Sequence, residues 1–200
     1  VTLAKDIIAL ARRGVGVLAN NLLALDGSAK LPAVDGSQLT GLLKGGATVT
    51  LTGTAVDVTG IPATAKRITI ALDNLSLSGT AHALLQLGTS SGVENTGYVS
   101  DASISTTGSG GSGGNQTSGF WAGWAGGAAV VSSSILTLVK GSGNKWIASL
   151  AGGVDNGSSV YYGFVSGGNK LLGGVLDRIR LTSTNGTDTF DLGTATVYWE

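Results

Sequence analysis

Cysteine and methionine are both absent from the 200 residues, and histidine occurs once, as His82. Without thiols the chain has no disulfide to hold it together and no thiolate to act as a nucleophile. One imidazole and no thiol leave too few ligands for a transition-metal cluster. Charge is scarce as well. Lysine, arginine, aspartate and glutamate make up 12% of the chain and cancel to zero net charge, where an average domain has about a quarter. Nucleic-acid binding calls for a basic stripe, yet the only adjacent basic pairs are Arg12-Arg13 and Lys66-Arg67. No apolar run approaches the ~20 residues that cross a bilayer as a helix. With valine first and no methionine, the chain is expected to be a piece of a longer one, or to have lost its start residue.

Glycine (34 residues), serine, threonine and apolar side chains fill the space that charge leaves, and 42% of the residues are hydrophobic. That is too apolar for a disordered chain. It is also too weakly charged to keep a large apolar surface solvated alone. Part of that surface is therefore expected to be buried between chains.

Three regions differ in texture. In residues 1–17, Leu3, Ile7 and Leu10 form one helical stripe that Gly14 and Gly16 soon end. A helix of three turns is marginal in water unless the stripe is covered, so a short docking helix is expected here. In residues 18–46, Leu18, Leu22, Leu25, Leu31, Val34, Leu39 and Leu42 recur between two Asp-Gly-Ser turns, at 26–28 and 35–37. Pro32 keeps the segment extended. These apolar residues have no fold of their own to bury them. Together with the helical stripe they are expected to form the interface of a homotrimer.

Residues 47–200 read as the third region, a β-sandwich or jelly-roll head. "TVTLTGTAVDV", "RITIALDNLSL", "HALLQLG", "AVVSSSILTLV", "KWIASLAG", "SVYYGFV", "LLGGVLDRIRLTS" and "DTFDLGTATVYWE" are rich in Val, Ile, Leu, Thr and Tyr, with Gly, Asn or Asp between them. They predict eight to ten strands. Tight turns are predicted at Asp73-Asn74 and, more strongly, at Asn185-Gly186. "TTGSGGSGGNQTSG", from Thr106 to Gly119, predicts a flexible loop. Trp121 and Trp124 follow it; three positions apart on one strand, they are expected to point to opposite faces.

No catalytic constellation emerges. His82 lies in the apolar run "AHALLQL" and reads as a satisfied histidine at a strand start. Glycan cleavage needs two opposed carboxylates; Asp73, Glu94, Asp101, Asp155 and Asp177 are candidates that no spacing brings together. Asp188 and Asp191 lack the spacing of a calcium loop. The glycines of "GSGGSGG" are not followed by the Lys-Ser or Lys-Thr of a phosphate loop. No catalytic residue, metal or cofactor is predicted.

"KLPAVDGSQLTGL" resembles the linker of many bacteriophage tail-fibre proteins. "GIPATAKRITIALDNLSLSGT" (Gly60 to Thr80) is similar to the opening of the C-terminal domain that follows that linker, and "VLDRIRLTSTNGTDTFDLGTATVYWE" (Val175 to Glu200) to its end. The likeness runs from about Leu25 to Glu200, with a divergent middle from Gly108 to Ala129; Trp199 stands between Tyr198 and Glu200, where the family closes on Tyr-Glu. The resemblance implies a homotrimeric, β-structured virion protein at the surface of a phage tail or head, used for host attachment; it supplies no catalytic residue, and no enzymatic activity is expected. Its implied partners are other virion proteins, met through the N-terminal region, and a host receptor, with neither nucleic acid nor membrane insertion. Polysaccharide is the expected receptor, and Tyr98, Trp121, Trp124, Tyr161 and Tyr162 are the rings that could stack on sugars. Two other readings stay open: a structural virion component (head fibre, decoration or connector protein) and a polysaccharide depolymerase.

Overall fold

A computed structural model describes residues 44–106, 109–110 and 113–200. The expected docking helix, almost all of the expected linker, and the interface positions Leu3, Ile7, Leu10, Leu18, Leu22, Leu25, Leu31, Val34, Leu39 and Leu42 lie outside the described residues. Among those described, the chain is mainly β, with no helix. Thirteen strands follow in order: β1 (Lys44–Thr50), β2 (Ala55–Thr59), β3 (Arg67–Leu77), β4 (Ala83–Thr89), β5 (Gly92–Glu94), β6 (Tyr98–Thr106), β7 (Ser109–Gly110), β8 (Phe120–Gly123), β9 (Val131–Lys140), β10 (Lys145–Asp155), β11 (Tyr161–Leu171), β12 (Arg178–Ser183) and β13 (Phe190–Trp199).

The strands form two sheets. One has the order β1-β13-β3-β9-β10-β11-β6-β7; the other runs β2-β12-β4-β5, with β8 also paired to β4. Every named pairing is antiparallel. Both sheets contribute to one core. Ile68 and Ile70 of β3, Leu136 and Leu138 of β9, Trp146 and Leu150 of β10 and Phe164 of β11 come from the larger sheet, and Leu85, Leu87, Phe120, Ile179 and Leu181 from the smaller. Across the sheets the ring of Tyr98 meets Phe120 edge-on, with centroids 5.0 Å apart. The two-residue period of the strands drives this arrangement. In β9 and β10 alternate side chains are buried over nearly the whole length, while the residues between them face out.

Asp73-Asn74 does not form the predicted turn. It lies inside β3, whose pairing with β9 shifts register between Leu72 and Leu75. The extra residue of this bulge takes the left-handed conformation at Asn74 (φ 53°), a conformation asparagine tolerates. Its N–H donates to Ser133 Oγ at 3.0 Å. Opposite it, Gly193 (φ 114°) marks a shift in β13, and a Cβ there would come within 2.9 Å of Asn74 O. The bulge explains why Leu72 and Leu75, an odd number of positions apart, are both buried. Asn185-Gly186 does turn the chain: Gly186 has φ 69°, and Asn185 Oδ1 accepts from the N–H groups of Thr187 and Asp188 at 3.0 Å each.

The predicted flexible loop is anchored in its second half. Gln116 N–H donates to Ser100 O at 2.8 Å, Tyr98 N–H donates to Thr117 O at 3.1 Å, and the Trp121 indole N–H donates to Gly114 O at 2.7 Å.

Candidate functional site

A cleft of about 600 Å3 opens where three connections meet. The β4–β5 turn supplies Thr89, Ser90 and Ser91, and β5 supplies Glu94. The β11–β12 loop supplies Gly173 to Asp177, and the β2–β3 connection adds Ile61 and Ala63. Hydrogen bonds tie these segments to one another. Asp177 N–H donates to Gly88 O and Ile61 N–H to Asp177 O, each at 3.0 Å, and Gly173 N–H donates to Glu94 Oε1 at 2.8 Å. These bonds hold the walls of the cleft in place, as in most small-molecule sites.

Below it lies an ion pair. Lys170 Nζ stands 2.6 Å from Glu94 Oε2, with the lysine side chain only 7% exposed and that of Glu94 27% exposed. The ammonium also lies over the Tyr98 ring, 5.4 Å from its centroid. Tyr98 Oη accepts from Leu87 N–H at 2.6 Å and donates to Glu94 O at 2.8 Å. Burial, against the help of the Leu87 N–H, pushes the Tyr98 hydroxyl well above its ordinary value. Burial pushes the Glu94 carboxyl up, but the bonds from Lys170 and Gly173 and the charge of Lys170 outweigh it and hold the carboxyl below the usual range. Asp177 is held by the Arg178 guanidinium, through Nε at 3.1 Å and Nη2 at 2.8 Å.

Two of the five carboxylates considered from sequence, Glu94 and Asp177, therefore line one cleft, each already matched by a cation. The other three do not join them. Asp73 sits at the bulge, Asp101 accepts from Ala102 N–H, and Asp155 accepts from Gly157 N–H. Among the described residues no three His, Cys, Asp or Glu side chains gather as a metal site.

The five aromatic candidates scatter. Tyr98 is 2% exposed and Trp121 6% exposed, so neither offers a free ring face. Trp124 is half-buried, Tyr162 is half-buried with its hydroxyl bonded to Asn156 Nδ2 at 3.1 Å, and Tyr161 is 69% exposed. Trp121 and Trp124 do not point apart as predicted. Their rings stack with centroids 6.3 Å apart, because β8 ends at Gly123 and the chain leaves the strand before Trp124. His82 joins them, 5.0 Å from Trp121 and 4.2 Å from Trp124, and its Nδ1 accepts from Ala125 N–H at 3.0 Å. Burial holds this imidazole below its ordinary value.

No family model, curated protein or solved structure gives a significant match to the chain.

Proposed function

We propose that this protein is a homotrimeric fibre or spike at the surface of a bacteriophage particle, whose β domain attaches to host-cell polysaccharide without cutting it. The observation that carries the binding part is the preformed cleft between Thr89–Glu94 and Gly173–Asp177. It offers what a polyhydroxylated ligand needs: serine and threonine hydroxyls, carboxylate oxygens that accept from sugar hydroxyls, and fixed backbone. Cleavage would need a carboxylic acid with a raised pKa beside a second, free carboxylate. Glu94 is held ionised by Lys170 and Gly173, and Asp177 is clamped by Arg178, which supports binding alone. The sequence likeness to tail-fibre C-terminal domains supports the placement on a virion and the trimer.

We also infer a jelly-roll connectivity. The order β1-β13-β3-β9 in one sheet faces β2-β12-β4-β8 in the other. The chain crosses between the sheets at β1–β2, β2–β3, β3–β4, β5–β6, β7–β8, β8–β9, β11–β12 and β12–β13. This is the pattern of an eight-stranded jelly roll, with β10, β11, β6 and β7 added along one edge.

The test is binding of the labelled full chain to an array of bacterial surface polysaccharides and to whole bacteria. Ser91→Arg and Val175→Arg crowd the rim of the cleft and are expected to abolish binding without unfolding the domain. Tyr161→Ala is expected to leave it intact. Binding that survives both arginine variants removes the cleft as the receptor site; reducing ends released from a bound polysaccharide overturn the non-enzymatic reading.

A further inference from the structure

The outer face of the eight-stranded sheet has an unusual make-up. Val99, Ile135, Val139, Ile147 and Val165 all point outward, each with about half of its surface open, from 46% for Val139 to 65% for Val99. Strand register places them in two rows, four residues apart along each strand. One row runs Val139, Ile147, Asn169, Val99 across β9, β10, β11 and β6; the other runs Ala71, Ile135, Ala151, Val165, Ser103 from β3 to β6. Between them runs a third row of small residues, Thr69, Thr137, Ser149 and Gly167. No charged side chain falls within these rows except at their ends, where Arg67 continues the first row and Asp101 the third. Arg67 is itself paired with Glu200 at 2.6 Å.

A second observation is independent of hydrophobicity. Gly153 of β10 and Gly163 of β11 are cross-strand neighbours beside the Ala151–Val165 pair. Neither has the positive φ that would demand glycine, and a Cβ built on either meets nothing within 4 Å. Glycine inside a strand weakens it, and its usual structural reasons are a bulge or the close approach of another backbone. The pairing of β10 with β11 runs through both glycines without a register shift. Among the described residues nothing gives either glycine a reason; close approach from outside the sheet would.

We propose that this face is an assembly surface whose occupant is the same face of other copies of this chain, packed around a common axis. The five apolar side chains expose on the order of 500 Å2, in two bands with the small residues between them, within the range for the largest patch on a monomer. With the Ala, Ser, Thr and Gly positions between them, the face approaches the roughly 800 Å2 per partner of a stable interface. Its centre bears no charge, so identical faces meet without like-charge repulsion, and the Gly153–Gly163 trough lets backbones come close. The proposal rests on the trimeric reading for the number of copies. It adds that the β domain carries an interface of its own, apart from the leucine-rich N-terminal region.

The absence of cysteine gives a clean test in the purified full chain. Single-cysteine variants Ala151→Cys and Val165→Cys report on the face, and Val175→Cys, at the cleft rim, is the open control. The face cysteines are expected to react with a maleimide at least tenfold more slowly than the control in native protein and at the same rate in urea. Mild oxidation of at least one of them is expected to give a disulfide-linked pair of chains. Labelling as fast as the control overturns the proposal. So does protection without any interchain disulfide, which would assign the cover to another part of the same chain. Binding to polysaccharide is read separately, so a failure of the attachment reading leaves these outcomes unaffected.

Discussion

Replacing Glu94 with glutamine removes one charge and almost no volume, which isolates the electrostatics beneath the cleft. Lys170 is the more deeply buried partner, with 7% of its side chain exposed against 27% for Glu94. Removing one partner of a buried pair costs about 3–5 kcal/mol, because the surviving charge is stranded. Glu94 sits at the margin, where water can reach part of the site, so the low end applies, about 3 kcal/mol. The glutamine also has a single acceptor oxygen, so it cannot serve both Lys170 Nζ and Gly173 N–H as the carboxylate does. Lys170→Met should behave differently. It leaves a carboxylate in contact with water and still bonded to Gly173, and sets an apolar chain against the Tyr98 ring; its cost is under ~1 kcal/mol. With a urea slope of about 2 kcal/mol/M, the midpoint falls by about 1.5 M in Glu94→Gln and by less than about 0.5 M in Lys170→Met. Both are read at one protein concentration, since association adds to apparent stability. The double variant follows Lys170→Met, because no charge is left buried. Equal losses in the two single variants, or a larger loss for Lys170→Met, would refute the assignment of lysine as the stranded group. The pH dependence adds a check. A carboxyl held below its ordinary value of 4.5 stabilises the fold above that pH, and its contribution is lost as pH falls through the lower folded value. Glu94→Gln should lack that acid-side loss.

Tyr98→Phe keeps the ring and removes the hydroxyl that serves Leu87 and Glu94; a loss of about 1–3 kcal/mol is expected by urea unfolding. Burial holds His82 below 6.5 in the folded chain, so the protein should lose stability as pH falls from 6.5 through the folded value. His82→Phe, which keeps a ring between Trp121 and Trp124, should flatten that slope; an unchanged slope assigns it elsewhere. Gly186→Ala forces a Cβ into a left-handed turn (φ 69°) and should cost about 1–2 kcal/mol in a thermal or urea melt.

The strands most legible in the sequence are those whose inward positions carry large apolar residues. In "RITIALDNLSL" the strand matches the run from Arg67 to Leu77. β6, "YVSDASIST", went unread because two of its inward positions hold Ser100 and Ala102, both buried yet neither bulky. In "GFWAGW" a strand is legible but its end is not: it spans Phe120–Gly123 and stops short of Trp124. Asp73-Asn74 carries turn chemistry but serves a bulge, and only the partner strand decides between the two. The cleft was half legible. Glu94 and Asp177 stood among the carboxylate candidates, but Glu94 meets its loop partner Gly173 across 79 positions of sequence, a closure no local pattern encodes. Lys170 escapes a reading of "GGNKLL" in isolation, because the glycines before it blur the strand pattern. A signal was there: Lys170 shares the inward phase of β11 with Phe164, and a lysine on an inward phase calls for a counter-charge.

Scarce charge becomes informative once its placement is known. Among the described residues the four ion pairs are Arg67–Glu200, Lys170–Glu94, Arg178–Asp177 and Arg180–Asp57. The last three have at least one partner on the smaller sheet or at the cleft, whereas the central rows of the larger sheet's outer face hold none. Solubility alone would favour the opposite distribution, since the broadest exposed apolar face is where a charge would do most to prevent association. A lone chain with so few charged residues would therefore be poorly served by leaving that face bare. The bare face and the charge-lined cleft fit the proposed division of labour, in which the face associates with its copies and the cleft remains open to a polar ligand.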